Sequence, residues 1–316
     1  MLLGHETAWR EWRKALGGER MHHAWLLAGR RGVGKGSFAF AAACELVGVD
    51  PADAQNHPDI LTLTYAPKDD KEERKRADGK PYDVARSIRI AQVRGMQARL
   101  GTRPTLGDKR AIIIDPADDL ERNAANALLK SLEEPPIGTY FLLVAHSPAR
   151  LLPTIRSRCR VLRFPTVSDA EMDRLLADLS PGADTATRAA AIAAAGGSPG
   201  AALQFVDMEL GKVRQAMDAI LARGDPDFQL RGTLAGLIGA RPDRERIRAV
   251  LELARSAVAQ RLDGAMADPR PVIDTHSELV RLTGEQPTYN FDAGLLAMEI
   301  GTLLAKAATA SERADG

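Results

Sequence analysis

LLAGRRGVGKG, residues 26–36, is the stretch that decides the fold. It continues HHAWLLAG at 22–29, an apolar run that reads as a buried strand entering a glycine-rich turn, and it precedes FAFAAACELV, which reads as an alanine-rich helix. Gly29, Gly32 and Gly34 let the backbone curl so that its N–H groups face an anion, and Lys35 is placed to reach terminal phosphates. The spacing is GxxxxGK. That pattern asks for Ser or Thr next, to bind magnesium through its hydroxyl, and the chain has Gly36 there. Ser37 comes one residue late, about 100° further round a helix. The stretch Gly29, Gly32, Val33, Gly34, Lys35, Gly36, Ser37 therefore has the shape of a phosphate loop with a degenerate nucleotide site; the plainer alternative is a glycine turn kept for packing.

Two further pieces extend the reading. RAIIID, 110–115, is an apolar strand closed by Asp115, where a direct or indirect magnesium ligand normally sits. Pro116 then occupies the position at which hydrolysing proteins of this class place a water-activating glutamate. Asp118 and Asp119 are expected to cap the next helix. FLLVAHSPARLLPTIRSRC, 141–159, ends a strand and presents Ser157, Arg158 and Cys159 beyond it. Arg150, Arg156, Arg160 and Arg163 crowd the same stretch, and such clusters are usually solvated. Arg158 stands apart by its context, as a fixed guanidinium able to serve a phosphoryl group held by another subunit.

Around these motifs, 6–16 reads as a helix, DILTLT at 59–64 as a strand, and 84–100 as a helix striped by Val84, Ile88, Val93, Met96 and Leu100. DLERNAANALLKSLEEPP, 119–136, reads as a helix with Leu120, Ala124, Leu128 and Leu132 at four-residue spacing and a stop at Pro135 and Pro136, followed by the strand YFLLVA, 140–145. KDDKEERKRADGK, 68–80, has no periodic apolar face and is expected to be a solvated or disordered loop. Alternating strands and helices predict an α/β domain with a mostly parallel sheet over 1–165. Beyond it, a helix at 168–177 and two short helices broken at Gly196, Gly197 and Pro199 predict a small helical domain over 166–207. Helical periodicity over 209–261 and 274–309 predicts an all-α domain over 208–316.

The 316 residues carry 43 basic and 42 acidic side chains, net +1, so the whole molecule lacks the positive field that would hold a polyanion by itself. Aromatics are only 4%, which favours helices packed by aliphatic residues over a β-sandwich. Cys44 and Cys159 cannot build a disulfide framework or a four-cysteine zinc site, and a reducing cytoplasm is expected. Charges in 6–13 break any export signal, and the apolar stretches at 37–49 and 294–308 are too interrupted to span a membrane. His22 and His23 read as structural or partner-facing. His146 and Ser147, at a strand end, have nothing but position to suggest a phosphate sensor.

HHAWLLAGRRGVGKG, HPDI at 57–60, NAANALLKSLEEPP at 123–136 and LLPTIRSRC at 151–159 closely resemble the delta-prime family of bacterial DNA polymerase III clamp-loader subunits, over roughly residues 20–205. The last third fits by length and helical character. The resemblance implies an AAA+ module followed by a helical lid and an oligomerising collar. It implies assembly with gamma or tau ATPase subunits and the delta subunit in a five-membered ring that loads the sliding clamp on primed DNA, within the DNA-directed DNA polymerase holoenzyme. It further implies that Arg158 is lent as an arginine finger to a neighbour's ATP while the chain itself hydrolyses nothing. The four-cysteine zinc module of many relatives has no counterpart between Cys44 and His57, so no zinc is expected. Lys35 is kept, which leaves weak ATP or ADP binding open, and GGSPGAAL at 196–203 lacks the second sensor arginine of active ATPases. A gamma-type subunit with its own ATPase activity is the alternative, and a small-molecule kinase a distant third.

Overall fold

The apolar run that enters the glycine turn forms β1 (Ala24–Ala28), buried through Leu27. It lies inside a five-stranded parallel sheet with β2 (Ile60–Leu63), β3 (Arg110–Ile114), β4 (Thr139–Ala145) and β5 (Arg160–Arg163), in the order β2-β3-β4-β1-β5. Parallel strands bury both faces beneath helices, which is why β1, β3 and β4 read as almost unbroken apolar runs while the edge strands β2 and β5 mix in polar residues. The computed structural model describes residues 5–54, 56–262, 268–285 and 292–312.

Side chains alternate across the sheet and build two cores. Trp25, Leu27, Ile113, Leu142 and Val144 pack with Trp12 of α1 (Glu6–Leu16) and with Phe38, Ala42 and Leu46 of α2 (Lys35–Val47). On the other face Leu26, Ile112, Ile114, Phe141 and Leu143 meet Val93 and Met96 of α4 (Ile90–Leu100), Leu128 and Leu132 of α5 (Arg122–Glu133) and Ile155 of α6 (Pro153–Arg156).

Two expectations are corrected here. Residues 68–80 are not a loop: Asp70–Ala77 is a helix, α3, capped by Asp69, whose side chain accepts from the Glu72 amide at 3.0 Å. Buried Glu72 takes the place of an apolar face, accepting from Lys75 Nζ at 2.8 Å and from the Asp83 amide at 2.8 Å. The second correction concerns 84–89, where the apolar spacing suggested helix. Val84 bridges Pro67 and Ile88 bridges Leu120, so this stretch is extended and the helix begins only at Ile90.

The chain divides into two compact units, Met1–Val167 and Ser168–Gly316. The second is all-helical among its described residues: α7 (Asp169–Leu179), α8 (Thr185–Ala195), α9 (Pro199–Asp207), α10 (Gly211–Arg223), α11 (Gln229–Ile238), α12 (Arg244–Arg261), α13 (Arg270–Glu285) and α14 (Ala293–Glu312). Ser168 and Glu171 form the capping box that starts α7, and the break after α8 falls at Gly196 and Gly197, with φ of 54° and 77°. Part of the helical periodicity expected over 274–309, at 286–291, lies outside the described residues. Helices α7–α9 and α10–α14 share one unit, tied by Gln204 to Glu245 at 2.8 Å and by Arg246 to the Met208 carbonyl at 2.8 Å. No helix among the described residues is long and apolar enough to cross a membrane.

Candidate functional site

The phosphate-loop segment leaves the carboxyl end of β1 and is tethered at once, the Gly29 amide donating to the Ala145 carbonyl at 3.3 Å. A Cβ on Gly29 would lie 2.3 Å from the Phe164 carbonyl oxygen, so packing alone requires glycine there. Gly34 caps α2 at φ 92°, a left-handed backbone that other residues adopt only under strain. Val33 is buried, and its carbonyl accepts from His5 Nε2, whose ring meets Phe164 edge-on at 4.8 Å. Sequence reasoning missed His5 and Phe164: nothing in their local pattern marks them, and only the fold brings them to the loop.

Lys35 opens α2 and is 2% exposed. Its ammonium is folded back onto the loop, donating to the Gly29 carbonyl at 2.7 Å and the Arg30 carbonyl at 2.5 Å. Burial pushes its pKa down to about 8, against the opposing pull of the Asp115 and Asp118 carboxylates; Arg31 adds to the lowering. At Gly36 a Cβ would stand 2.5 Å from Asp115 Oδ2. The carboxylate therefore crowds the position that the first carbon of any side chain at 36 would take. Burial raises the pKa of Asp115, partly offset by Lys35 and Arg31. Ser37 is exposed. The loop thus carries glycine where the phosphate-loop pattern has its hydroxyl, a lysine engaged with the Gly29 and Arg30 carbonyls, and Pro116 directly after Asp115.

The two acids after Pro116 do not cap α5. Asp118 lies in a short 3-10 turn, Ala117–Asp119, and accepts from the amides of His146 at 3.1 Å and Ser147 at 2.7 Å. Asp119 accepts from the Tyr65 hydroxyl at 2.5 Å and pairs with Arg150 at 3.1 Å. Both carboxylates are recruited by neighbouring strand ends, so the first turn of α5 begins after Glu121, which makes no side-chain cap. His146 and Ser147 thus engage Asp118 through their backbone amides.

Arg158 follows α6. Its Nη1 donates to the Thr154 carbonyl at 2.8 Å and to Ser157 Oγ at 3.4 Å, and its Nη2 pairs with Glu133 Oε1 at 2.6 Å. The side chain stays about a third exposed, at 34%. Ser157 Oγ donates to the Thr154 carbonyl, while Cys159 turns inward against the core, and burial raises its thiol to about 12. The parallel register pairs Trp25 with Arg160 and Ala28 with Arg163. Arg158 therefore sits at the amino ends of the strands, whereas the glycine loop leaves their carboxyl ends, on the order of 13 Å further for four residue steps. Within one chain the structure keeps the finger candidate and the loop at opposite ends of the sheet. Of the other arginines in the stretch, Arg150 pairs with Asp119 and Arg160 stacks over Trp25 at 5.0 Å.

His22 and His23 stack at 4.8 Å. His22 Nδ1 engages the Ala24 carbonyl, and His23 Nε2 donates to the Leu132 carbonyl at 2.8 Å. Among the described residues, no group of His, Cys, Asp and Glu could hold a metal ion.

A family model described as "DNA polymerase III, delta subunit" matches residues 4–168, the whole sheet-bearing unit. The DNA polymerase III subunit delta' of Pseudomonas aeruginosa is 34% identical over 207 residues, covering 60% of this chain and 58% of that protein. The same subunit of Escherichia coli is 30% identical over 233 residues, covering 69% and 64%. The chain thus spans less than two thirds of the length of these relatives. Among solved structures, a DNA polymerase III gamma subunit-related protein from Thermotoga maritima shares the fold at a TM-score of 0.52 with 16% identity, covering 96% of this chain and 99% of that one.

Proposed function

The chain belongs to the DNA polymerase III delta family, among the delta-prime subunits of the bacterial clamp loader, and from that membership we propose that it is a non-hydrolysing AAA+ subunit that completes a neighbour's ATP site with Arg158. On this reading residues 166–207 act as a lid and 208–316 as a collar that joins it to gamma or tau ATPase subunits and to the delta subunit. The assembled ring opens the sliding clamp and places it on primed DNA in the cytoplasm. Net charge of +1 agrees with a chain that meets DNA only as part of the ring.

One observation carries the proposal. Arg158 lies at the end of the sheet away from its own glycine loop, fixed and part-exposed, so the phosphate it can reach belongs to another subunit. A guanidinium added in trans neutralises charge developing on the transferring phosphoryl group, an effect on the order of 10³–10⁵ in rate where it has been measured in related chemistry. Gly36, Pro116 and the inward-turned Lys35 support the absence of hydrolysis in this chain itself.

The experiment is steady-state ATP hydrolysis by the reconstituted clamp loader with clamp and primed DNA. Arg158→Ala is expected to leave ring assembly intact and to lower turnover at the site it serves by more than about tenfold. An unchanged rate refutes the finger assignment. Turnover by the isolated chain, abolished by Lys35→Ala, would instead establish the gamma-type reading.

A further inference from the structure

The proposed finger does not point out unaccompanied. Arg158 has a planar fork, and the structure divides it: Nη1 is tied to its own helix turn through Thr154 and Ser157, while Nη2 is taken by Glu133 at 2.6 Å. A phosphate oxygen would be bound at that second edge in the same charge-assisted way that the carboxylate now is. Glu133 is the last residue of α5, where the carbonyl ends of the helix make a carboxylate unfavourable unless a cation offsets it, and Glu134 follows immediately. Arg158 supplies that cation. The helix end is itself anchored, because His23 Nε2 donates to the Leu132 carbonyl at 2.8 Å, one residue before Glu133.

We propose that Glu133 is a positioning residue that occupies the phosphate-binding edge of Arg158 as a stand-in for the neighbour's phosphate, and yields it when the ATP-bearing subunit docks. The inference rests on the reading of Arg158 as a finger acting in trans. The exchange is feasible because both partners are accessible, with side-chain exposures of 34% and 48%, and exposed pairs are held only loosely. A polyphosphate carries more charge than one carboxylate and wins the edge.

The test compares wild type, Glu133→Gln, Arg158→Ala and the double variant in the reconstituted clamp loader, reading the ATP dependence of hydrolysis at low and high salt. Glu133 is exposed, so the glutamine variant leaves the core untouched, and an unchanged melting profile confirms this. Glu133→Gln is expected to lower the KM for ATP by about two- to fivefold, the range set by a loosely held ion pair, with the gain shrinking as salt rises. The double variant should behave as Arg158→Ala alone, because Glu133 acts only through the arginine. If Glu133→Gln leaves KM unchanged or raises it while Arg158→Ala still lowers turnover, the stand-in role is wrong and the finger survives. If Arg158→Ala changes nothing, the finger itself falls.

Discussion

Lys35 occupies the lysine position of the phosphate-loop pattern and is buried at the start of α2. Its ammonium serves two carbonyls of its own loop, and burial holds its pKa at about 8, below the 10.5 of an exposed lysine. A lowered lysine pKa means that the unfolded chain binds the proton more tightly, so the contribution to stability is full above pH 10.5 and is lost as pH falls through about 8. Denaturant midpoints measured from pH 7 to pH 10 should therefore rise for wild type relative to Lys35→Met, with the change concentrated above pH 8. A parallel pair of curves would show that the ammonium is not penalised in the fold. The glycine spacing and the loss of the hydroxyl at Gly36 were legible in the sequence. What no spacing rule could show is that Asp115 Oδ2 leans to within 2.5 Å of where a Cβ at position 36 would be. For the same reason Asp118 and Asp119 were misread: capping is a local inference, and their actual partners, His146, Ser147, Tyr65 and Arg150, are far away in sequence.

At the scale of elements, the HPDI segment owes its presence to a loop rather than to chemistry on a substrate. Asp59 is fully buried. Burial raises its pKa, but the amides of Leu106 and Thr105 and the Arg110 guanidinium outweigh that and hold it low. Its oxygens accept from Thr105 at 2.6 Å and Leu106 at 2.8 Å, and Arg110 Nε stands 3.5 Å away while its other nitrogens hold the carbonyls of Arg99, Thr102 and Arg103. One buried pair thereby fastens 99–106 to the start of β3. Asp59→Ala strands the guanidinium among carbonyls in the interior and is expected to cost about 3–5 kcal/mol, readable as a fall in the denaturant midpoint with little change in slope. A loss under about 1 kcal/mol would show that the loop carries itself. Strands β1, β3 and β4 were evident because a strand buried on both faces leaves an unmistakable apolar run. Helix α3 escaped notice because its order comes from a cap at Asp69 and from Glu72, and neither produces a hydrophobic period.

For the molecule as a whole, the boundary after Val167 separates two units, and both core clusters of the sheet lie entirely ahead of it. The family match ends at the same place, at residue 168. A fragment of 1–167 should accordingly fold without the helical unit and unfold in one cooperative transition by calorimetry. A broad transition without a heat-absorption peak would mean that the sheet depends on the helices that follow. Sequence reading set this boundary at 165, since the strand signals stop there, whereas a division within the helical half leaves no such compositional step: Gln204, Glu245, Met208 and Arg246 join its parts across it.

The close approach of Phe164 to Gly29 has a consequence for how such chains are recognised. The first residue of the motif is demanded by the backbone of the adjoining strand, whether or not a nucleotide is ever cleaved. A side chain at position 29 would collide with the backbone that leaves β5, whatever residue follows the lysine. A match to this spacing therefore reports, at its first residue, how a strand end is packed, and by itself says nothing of turnover.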